Sequence, residues 1–333
     1  MRPPRPRWLS LALLMAIGAG AGAVARGERA DADPAASRRP AQPPQQQQPP
    51  PAQFRAGIDV VHLPVVVAAR NGDLVRGLTA DDFEVLEDGR PQKVSYFAEG
   101  APGAALPLHL ALVLDGSVSM ERDLRAAADA AIQFVEALEE AVDVTFVDFD
   151  TSVSMGRFER PSYPMLFERI RARKPRGMTA LYDALGVYLE TSLGRDGQHV
   201  LLLYSDGGDS ASTMHFGRLQ TLLRLADVIV YAVGYLEHQR GADRTLQQMR
   251  LTQIARETGG EAFFPASARD LNEHYARILD ELTSRYTLGY VSTNPAADGK
   301  FREVEVTLRR SNLRGAKVRT RTGYLAPTAG RRP

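Results

Sequence analysis

The 333-residue chain carries 41 Lys and Arg against 40 Asp and Glu, a net charge of +1 that gives no reason to expect nucleic acid or an acidic surface as partner. Its hydrophobic content of 44% is that of an ordinary globular protein, and its length suffices for one ample α/β core with a smaller companion. Zero cysteines exclude disulfides, thiolate metal sites, cysteine nucleophiles and lipid attached through cysteine.

In chain order, residues 1–25 read as a secretory signal peptide. Arg2, Arg5 and Arg7 precede an apolar run from Trp8 to Ile17, and the Ala-x-Ala sites Ala21-Gly22-Ala23 and Ala23-Val24-Ala25 follow. The expectation is export to the periplasm or beyond. The rival is an uncleaved N-terminal anchor, because the small-residue tail brings the run near the lower limit of a spanning helix. No other stretch is apolar enough to cross a bilayer, so no membrane span is expected after cleavage. Residues 26–56, rich in Pro and Gln (Gln45 to Gln48 among them), are expected to form a disordered linker.

Residues 57–100 are expected to be a β segment. Val60, Val61, Leu63, Val65, Val66 and Val67 form one run in which Pro64 predicts an edge or a bulge. Asn71-Gly72 marks a turn, and Asp88-Gly89 predicts a hairpin between Glu84–Glu87 and Lys93–Phe97. Asp81, Asp82 and Asp88 lack EF-hand spacing and suit turn or cap roles.

From 107 to 285 strands and helices alternate. Strands are expected at 109–115, 142–149, 152–157, 198–205, 228–235 and 261–264. Helices are expected at 121–138, 165–171, 180–193, 216–226, 245–258 and 269–284. This rhythm predicts an α/β fold with a doubly wound, mostly parallel sheet, and the close hairpin of 142–149 with 152–157 predicts one antiparallel edge strand. Residues 286–327 return to β texture, with strands at 286–291, 302–308 and 318–322, and 328–333 form a tail. The two flanking β segments are expected to pack as a small sandwich beside the main domain. Arg309, Arg310, Arg314, Lys317, Arg319 and Arg321 are expected on its exposed polar face.

The chemistry gathers at three places. Leu110 to Leu114 is a continuous apolar run, as in a strand buried on both faces, and it ends in Asp115-Gly-Ser117-Val-Ser119. Pro175-Arg-Gly-Met-Thr-Ala180 puts Thr179 on a loop before a helix. Val200 to Tyr204 is a second apolar strand, followed by Ser205-Asp206-Gly-Gly-Asp209. If both strands are central and adjacent, Asp115 and Asp206 emerge at one sheet edge, the carboxyl-end crevice where open α/β sheets bind ligands. Two such carboxylates need a cation between them, or one takes up a proton. Oxygen ligands without thiol or imidazole suit Mg²⁺, with Mn²⁺ or Ca²⁺ as the other candidates.

Together, Asp-Gly-Ser-Val-Ser, Gly-Met-Thr-Ala-Leu-Tyr-Asp-Ala and Tyr-Ser-Asp-Gly-Gly-Asp resemble the von Willebrand factor A domain with its metal-ion-dependent adhesion site. The likeness covers roughly 107–285, and the wider layout is similar to bacterial exported proteins of that type. The resemblance implies a Rossmann-like fold. It also implies metal ligation by the hydroxyls of Ser117 and Ser119, by Thr179 directly or through water, and by Asp115 and Asp206 mainly through water. One coordination position would stay open for an Asp or Glu of a protein partner. The function so implied is a non-catalytic adhesion or assembly module. The alternative is a metal-dependent hydrolase or phosphotransferase using the same carboxylates. Against it, Ser117 stands where a paired-Asp phosphatase would have its second carboxylate, and no nucleophile elbow, zinc-protease helix or phosphate loop occurs. Among the histidines, His62, His109 and His274 lack ligand spacing. His199 suits a structural role, and His215 and His238 fall in loops, His215 as at most a rim contact. Asp148, Asp150, Asp183 and Asp209 have no necessary place in the coordination shell.

Overall fold

The computed structural model describes residues 60–100, 107–193, 195–237, 239–310, 313 and 315–328. The expected signal peptide, the whole Pro/Gln linker (26–56), residues 57–59 of the expected β segment, the end of the tail, His238 and Arg314 lie outside the described residues.

Four strands precede the main sheet: β1 (Val60–Ala68), β2 (Phe83–Glu87), β3 (Arg90–Gln92) and β4 (Val94–Glu99). The alternating module follows as β5 (Leu108–Asp115), α1 (Leu124–Ala137), β6 (Ala141–Phe149), β7 (Val153–Glu159), α2 (Tyr163–Arg171), α3 (Leu181–Ser192), β8 (Gln198–Ser205), α4 (Phe216–Leu225), β9 (Val228–Gly234), α5 (Gly241–Glu257), β10 (Ala262–Phe263) and α6 (Ala268–Ser284). The chain then closes through β11 (Tyr286–Val291), β12 (Phe301–Leu308), β13 (Lys317–Arg319) and β14 (Gly323–Leu325).

The central sheet has six strands in the order β10-β9-β8-β5-β6-β7. All its pairs are parallel except β6 with β7, which form the expected antiparallel hairpin at the edge. Successive side chains of a strand point to opposite faces, so an all-apolar strand must be covered twice. In β5, Leu110, Leu112 and Leu114 pack with α1, α2 and α6, whereas Ala111 and Val113 pack with α3, α4 and α5. The chain starts in the middle of this sheet at β5 and winds outward first through β6 and then, after crossing back, through β8. The switch in strand order therefore lies between β5 and β8.

The flanking segments form two four-stranded antiparallel sheets, β13-β1-β11-β4 and β14-β12-β2-β3. Leu63, Val65 and Val67 of the first and Phe83, Val85, Val304 and Val306 of the second share one buried cluster with Tyr286, Leu288 and Tyr290. The two described flanking segments thus build a sandwich together. β1 pairs with β11 over Val60 to Val65 and with β13 only from Val66, so Pro64 sits where one side of the strand has no neighbour to bond.

Two expectations need correction. Asp88 and Gly89 both have positive φ (48° and 75°), as a tight hairpin turn requires, but β2 pairs with Arg90–Gln92. Val94–Glu99 instead crosses to the opposite sheet and pairs with β11. Of the tail cations Arg309, Arg310 and Lys317 are exposed as expected, but Arg319 and Arg321 are not part of a free basic face. Arg319 is 18% exposed in its side chain and pairs with Glu281 and Glu261, Arg321 pairs with Asp227, and Arg310 with Asp82. An alternating Arg pattern marks the polar side of a strand, and here that side faces acidic groups on neighbouring elements. Asp82 closes a capping box by accepting from the Thr79 amide at 2.7 Å, and Asp88 accepts from the Glu303 amide.

Candidate functional site

Asp115 is the last residue of β5, and Asp206 directly follows β8 at the neighbouring strand end. Their side-by-side emergence follows from the pairing of the two strands, which runs in register to Leu114 and Tyr204. The crevice is therefore at the topological switch point, where neighbouring loops leave in opposite directions.

Asp115 is fully buried, and each of its oxygens is held. Oδ1 accepts the Ser117 amide at 2.9 Å, and Oδ2 accepts the Ser205 hydroxyl at 2.6 Å. Ser205 in turn accepts from the Gly207 amide at 3.0 Å. Burial pushes the Asp115 carboxyl up to about 6; the Ser117 and Ser205 hydrogen bonds oppose that rise and the charge of Asp206 adds to it. Asp206, 2% exposed, accepts from the Gly208 amide at 2.9 Å and from Gln239 Nε2 at 3.1 Å. Among the described residues neither carboxylate has an Arg or Lys ion pair.

After Asp115 the backbone runs through Gly116 into a 3₁₀ turn at Val118–Met120, so the first helix starts at Leu124 rather than 121. This tight turn brings the Ser117 and Ser119 hydroxyls to 2.9 Å from each other. A Cβ added at Gly116 would run into the Arg173 guanidinium, which would have to shift from its place beside Asp150. The third segment is stitched to the first by Val118 N to Gly177 O (3.3 Å) and Arg176 N to Gly116 O (2.9 Å). Thr179, 6% exposed, is tied to the Asp206 loop by its backbone. Its carbonyl accepts the Ser210 and Ala211 amides at 2.8 and 2.9 Å, and its amide donates to Ser210 Oγ.

A brace underlies these loops. Asp150, 3% exposed, accepts from the Ser152 amide and hydroxyl through one oxygen and from Arg173 (2.9 Å) and Arg176 (2.6 Å) through the other. Its main-chain carbonyl takes the Ala180 amide at 2.9 Å. Burial raises the Asp150 carboxyl, yet the Arg176 and Ser152 hydrogen bonds and the Arg173 charge outweigh it and hold the group well below the usual carboxylate range. Asp183 and Asp209 fix the following loop onto the start of α3. Asp183 accepts the Thr213 and Met214 amides, and Asp209 accepts the Tyr182 amide and the Ser212 hydroxyl. Asp148 pairs with Arg169.

Sequence reasoning passed over Ser205, Gln239, Arg173 and Arg176. Ser205 had a signal, since it stands between an apolar strand and Asp206. The arginines and Gln239 had none, because their partners are more than 20 residues away. Among the described residues, His109, His199 and His215 make no contact with this cluster. His199 bonds the Arg195 carbonyl and stacks on His109, His109 faces Asp143, and His215 opens α4.

The residues fit a hard divalent cation. Among the described residues no three His, Cys, Asp or Glu side chains cluster as a metal site, so any ion here must rely on hydroxyls as well as carboxylates. Two buried carboxylates without a described cationic partner, one with its ionisation opposed, and two hydroxyls hydrogen-bonded to one another make such a donor set.

A family model for the von Willebrand factor type A domain matches residues 109–277, more than half of the chain. Structural similarity extends to an aerotolerance-related membrane protein from Bacteroides fragilis, at 15% identity over 53% of this chain and 98% of that one, with a TM-score of 0.41. It extends also to a von Willebrand factor type A protein from Catenulispora acidiphila, at 13% identity over 83% and 76% of the two chains (TM-score 0.46). The vWF domain of the type V pili tip protein Mfa5 from Porphyromonas gingivalis is similar at 12% identity over 59% and 100% (TM-score 0.40). No curated protein matches the sequence. On the family match, and with a doubly wound sheet whose switch point carries the strand-end aspartates, the chain belongs to the von Willebrand factor type A domain family.

Proposed function

We propose that the chain is an exported, non-catalytic adhesion or assembly module that holds Mg²⁺ at the β5–β8 crevice and offers it to an acidic side chain of a protein partner. Ser117, Ser119 and Thr179 would hold the ion through hydroxyls, and Asp115 and Asp206 through water. Bound there, the cation supplies a Lewis-acidic corner that a partner's Asp or Glu completes. The observation that carries this reading is the pair of buried aspartates at adjacent strand ends, hydrogen-bonded to neutral donors and matched by no described cationic side chain. Buried carboxylates so arranged call for a cation.

A protein partner is favoured over a small substrate by the rim. Val118, between the two serines, and Met178, next to Thr179, are 54% and 55% exposed. Large apolar side chains beside a charged centre suit a desolvating contact, and a carboxylate reaching the ion would bring its neighbours onto them. Export rests on the arginine-led apolar start of the sequence. Among the described residues no helix is long and apolar enough to cross a membrane.

The test is Mn²⁺ titration followed by electron paramagnetic resonance, with Asp115→Ala and Ser117→Ala beside the parent chain. The expected result is one saturable site in the parent, displaced by Mg²⁺, and loss of affinity by at least about tenfold in each variant. Capture of a defined protein from the source's own envelope extract should be abolished by EDTA and by Asp115→Ala. Saturable Mn²⁺ binding that survives both substitutions would place the ion elsewhere.

A further inference from the structure

At the opposite end of the sheet, where β8 and β9 begin, a cavity of about 100 Å³ lies between the module and the sandwich. Its wall includes Pro64 of β1, Thr287 of β11, Gln198 of β8, Ile229 of β9 and Arg285. Arg285 follows α6 and links it to β11. Its main chain is fully engaged, the amide donating to Glu281 O at 3.0 Å and the carbonyl accepting from Gly100 N at 2.9 Å. Its side chain is different. Arg285 is only 5% exposed, yet among the described residues its guanidinium makes no hydrogen bond and no ion pair within 4 Å.

A guanidinium 5% exposed and without a described protein acceptor depends on what occupies the space its nitrogens reach, here the cavity that Arg285 lines. Two nearby groups do not relieve it. Asp227, also on the cavity wall, bonds Arg321 at 3.2 Å and keeps 66% of its side chain exposed. Tyr231 lies close enough to be felt electrostatically, but its hydroxyl is buried and stays neutral over the accessible pH range. The cavity that Arg285 lines is thus a place where an acceptor for it fits.

We propose that this cavity binds a small organic carboxylate, anchored by the Arg285 guanidinium. The planar fork of arginine matches one carboxylate through two parallel hydrogen bonds. A water occupies about 30 Å³ of liquid, so the space equals roughly three waters, enough for a carboxylate with a short aliphatic stem. The stem would lie against Pro64, Ile229 and the Thr287 methyl, while His62, Gln198 and His199 supply the polar part of the wall. An inorganic phosphate dianion fits worse, because it would bring a second charge near Asp227. The site is independent of the metal crevice, because it faces the amino ends of the strands whose carboxyl ends carry Asp115 and Asp206.

The experiment is calorimetric titration of the full chain with acetate, propionate and butyrate, at ionic strength matched with chloride, alongside thermal melts. The expected result is saturable binding of at least one of these acids. At a hundredfold excess over Kd it should raise the melting temperature by roughly 5 °C. Arg285→Met is expected to remove that rise. Because this variant could also disturb packing, Thr287→Leu provides a second arm: it keeps the arginine, fills the cavity and should weaken binding by at least about tenfold. The proposal is overturned if none of the acids binds saturably, if Arg285→Met binds them as the parent does, or if inorganic phosphate binds and the carboxylates do not.

Discussion

At the scale of single residues, the side chain that most repays attention is Ser205. It stands one position before Asp206, bonds Asp115 at 2.6 Å and is itself held by the Gly207 amide. One hydroxyl thus fixes the rotamer of the aspartate on the neighbouring strand. Groups that orient a metal ligand without touching the ion typically change affinity by about 10- to 100-fold when removed. Ser205→Ala is therefore expected to weaken Mn²⁺ binding by about that factor. The loss of a small buried hydroxyl should cost only about 1–2 kcal/mol in a urea melt. An unchanged Mn²⁺ affinity would show that Asp115 is positioned without it. The five oxygen-bearing residues at Asp115, Ser117, Ser119, Thr179 and Asp206 could be read from the sequence because each stands at the end of an apolar run or beside a glycine turn. Ser205 carried a signal in standing directly before Asp206, yet at the end of the run a serine passes for one more strand residue.

At the scale of elements, the parallel strands were legible because burial on both faces leaves no polar alternation, only a run such as Leu110 to Leu114. The start of α5 was less so. The expected boundary was 245, and the helix begins at Gly241, since its first turn is Gly-Ala-Asp-Arg and lacks apolar periodicity. The β2 hairpin shows the other kind of miss: a turn is encoded locally by Asp88-Gly89, whereas the choice of partner for Val94–Glu99 is made by the sandwich as a whole. The Asp150 brace belongs at this scale because it ties the β6–β7 turn to the loop carrying Arg173 and Arg176. Arg173 has a side-chain exposure of 10%, so Asp150→Ala would leave a nearly buried cation uncompensated and should cost about 3 kcal/mol at neutral pH. The pH dependence follows from the sign of the shift. Asp150 has an ordinary value of 3.8 and is held well below it in the folded chain. Its stabilisation is complete above about pH 4 to 5 and falls away as the pH drops below 3.8 toward the folded value. Urea melts of parent and variant should therefore differ most at neutral pH and converge in acid. A constant difference down to the lowest pH at which both fold would mean that the carboxylate's charge contributes nothing.

At the scale of the molecule, the question is why the α/β module and the sandwich should hold together. The sequence suggested that both chain ends meet, but it showed the tail arginines only as a polar face. The structure gives two of them, Arg319 and Arg321, acidic partners on the module. Glu281 of α6, with a side chain fully removed from solvent, takes Arg277 at 3.3 Å and Arg319 of β13 at 2.5 Å, and Glu261 takes the same two arginines at 3.0 and 3.1 Å. These four charges join the last helix of the module to the outermost strand of the sandwich. α6 is also locked onto α1, where Tyr275 and Phe134 rings lie 5.6 Å apart. The clasp should make the two parts unfold as one. Arg319→Met would leave Glu281 buried against a single, partly exposed arginine, a loss of about 3 kcal/mol. Replacing both partners, Glu281→Leu with Arg319→Met, removes the uncompensated charge and should recover most of that loss. The coupling from the double-mutant cycle should then be clearly different from zero. The measurement is urea unfolding followed by far-UV circular dichroism and by tyrosine fluorescence. Coincident single transitions are expected in the parent and separated ones in Arg319→Met, because the sandwich then keeps only its apolar contacts and the more exposed polar links of Arg321 with Asp227 and Arg76 with Asp280. Strictly additive substitutions with coincident transitions throughout would show that those remaining contacts suffice to unite the two parts.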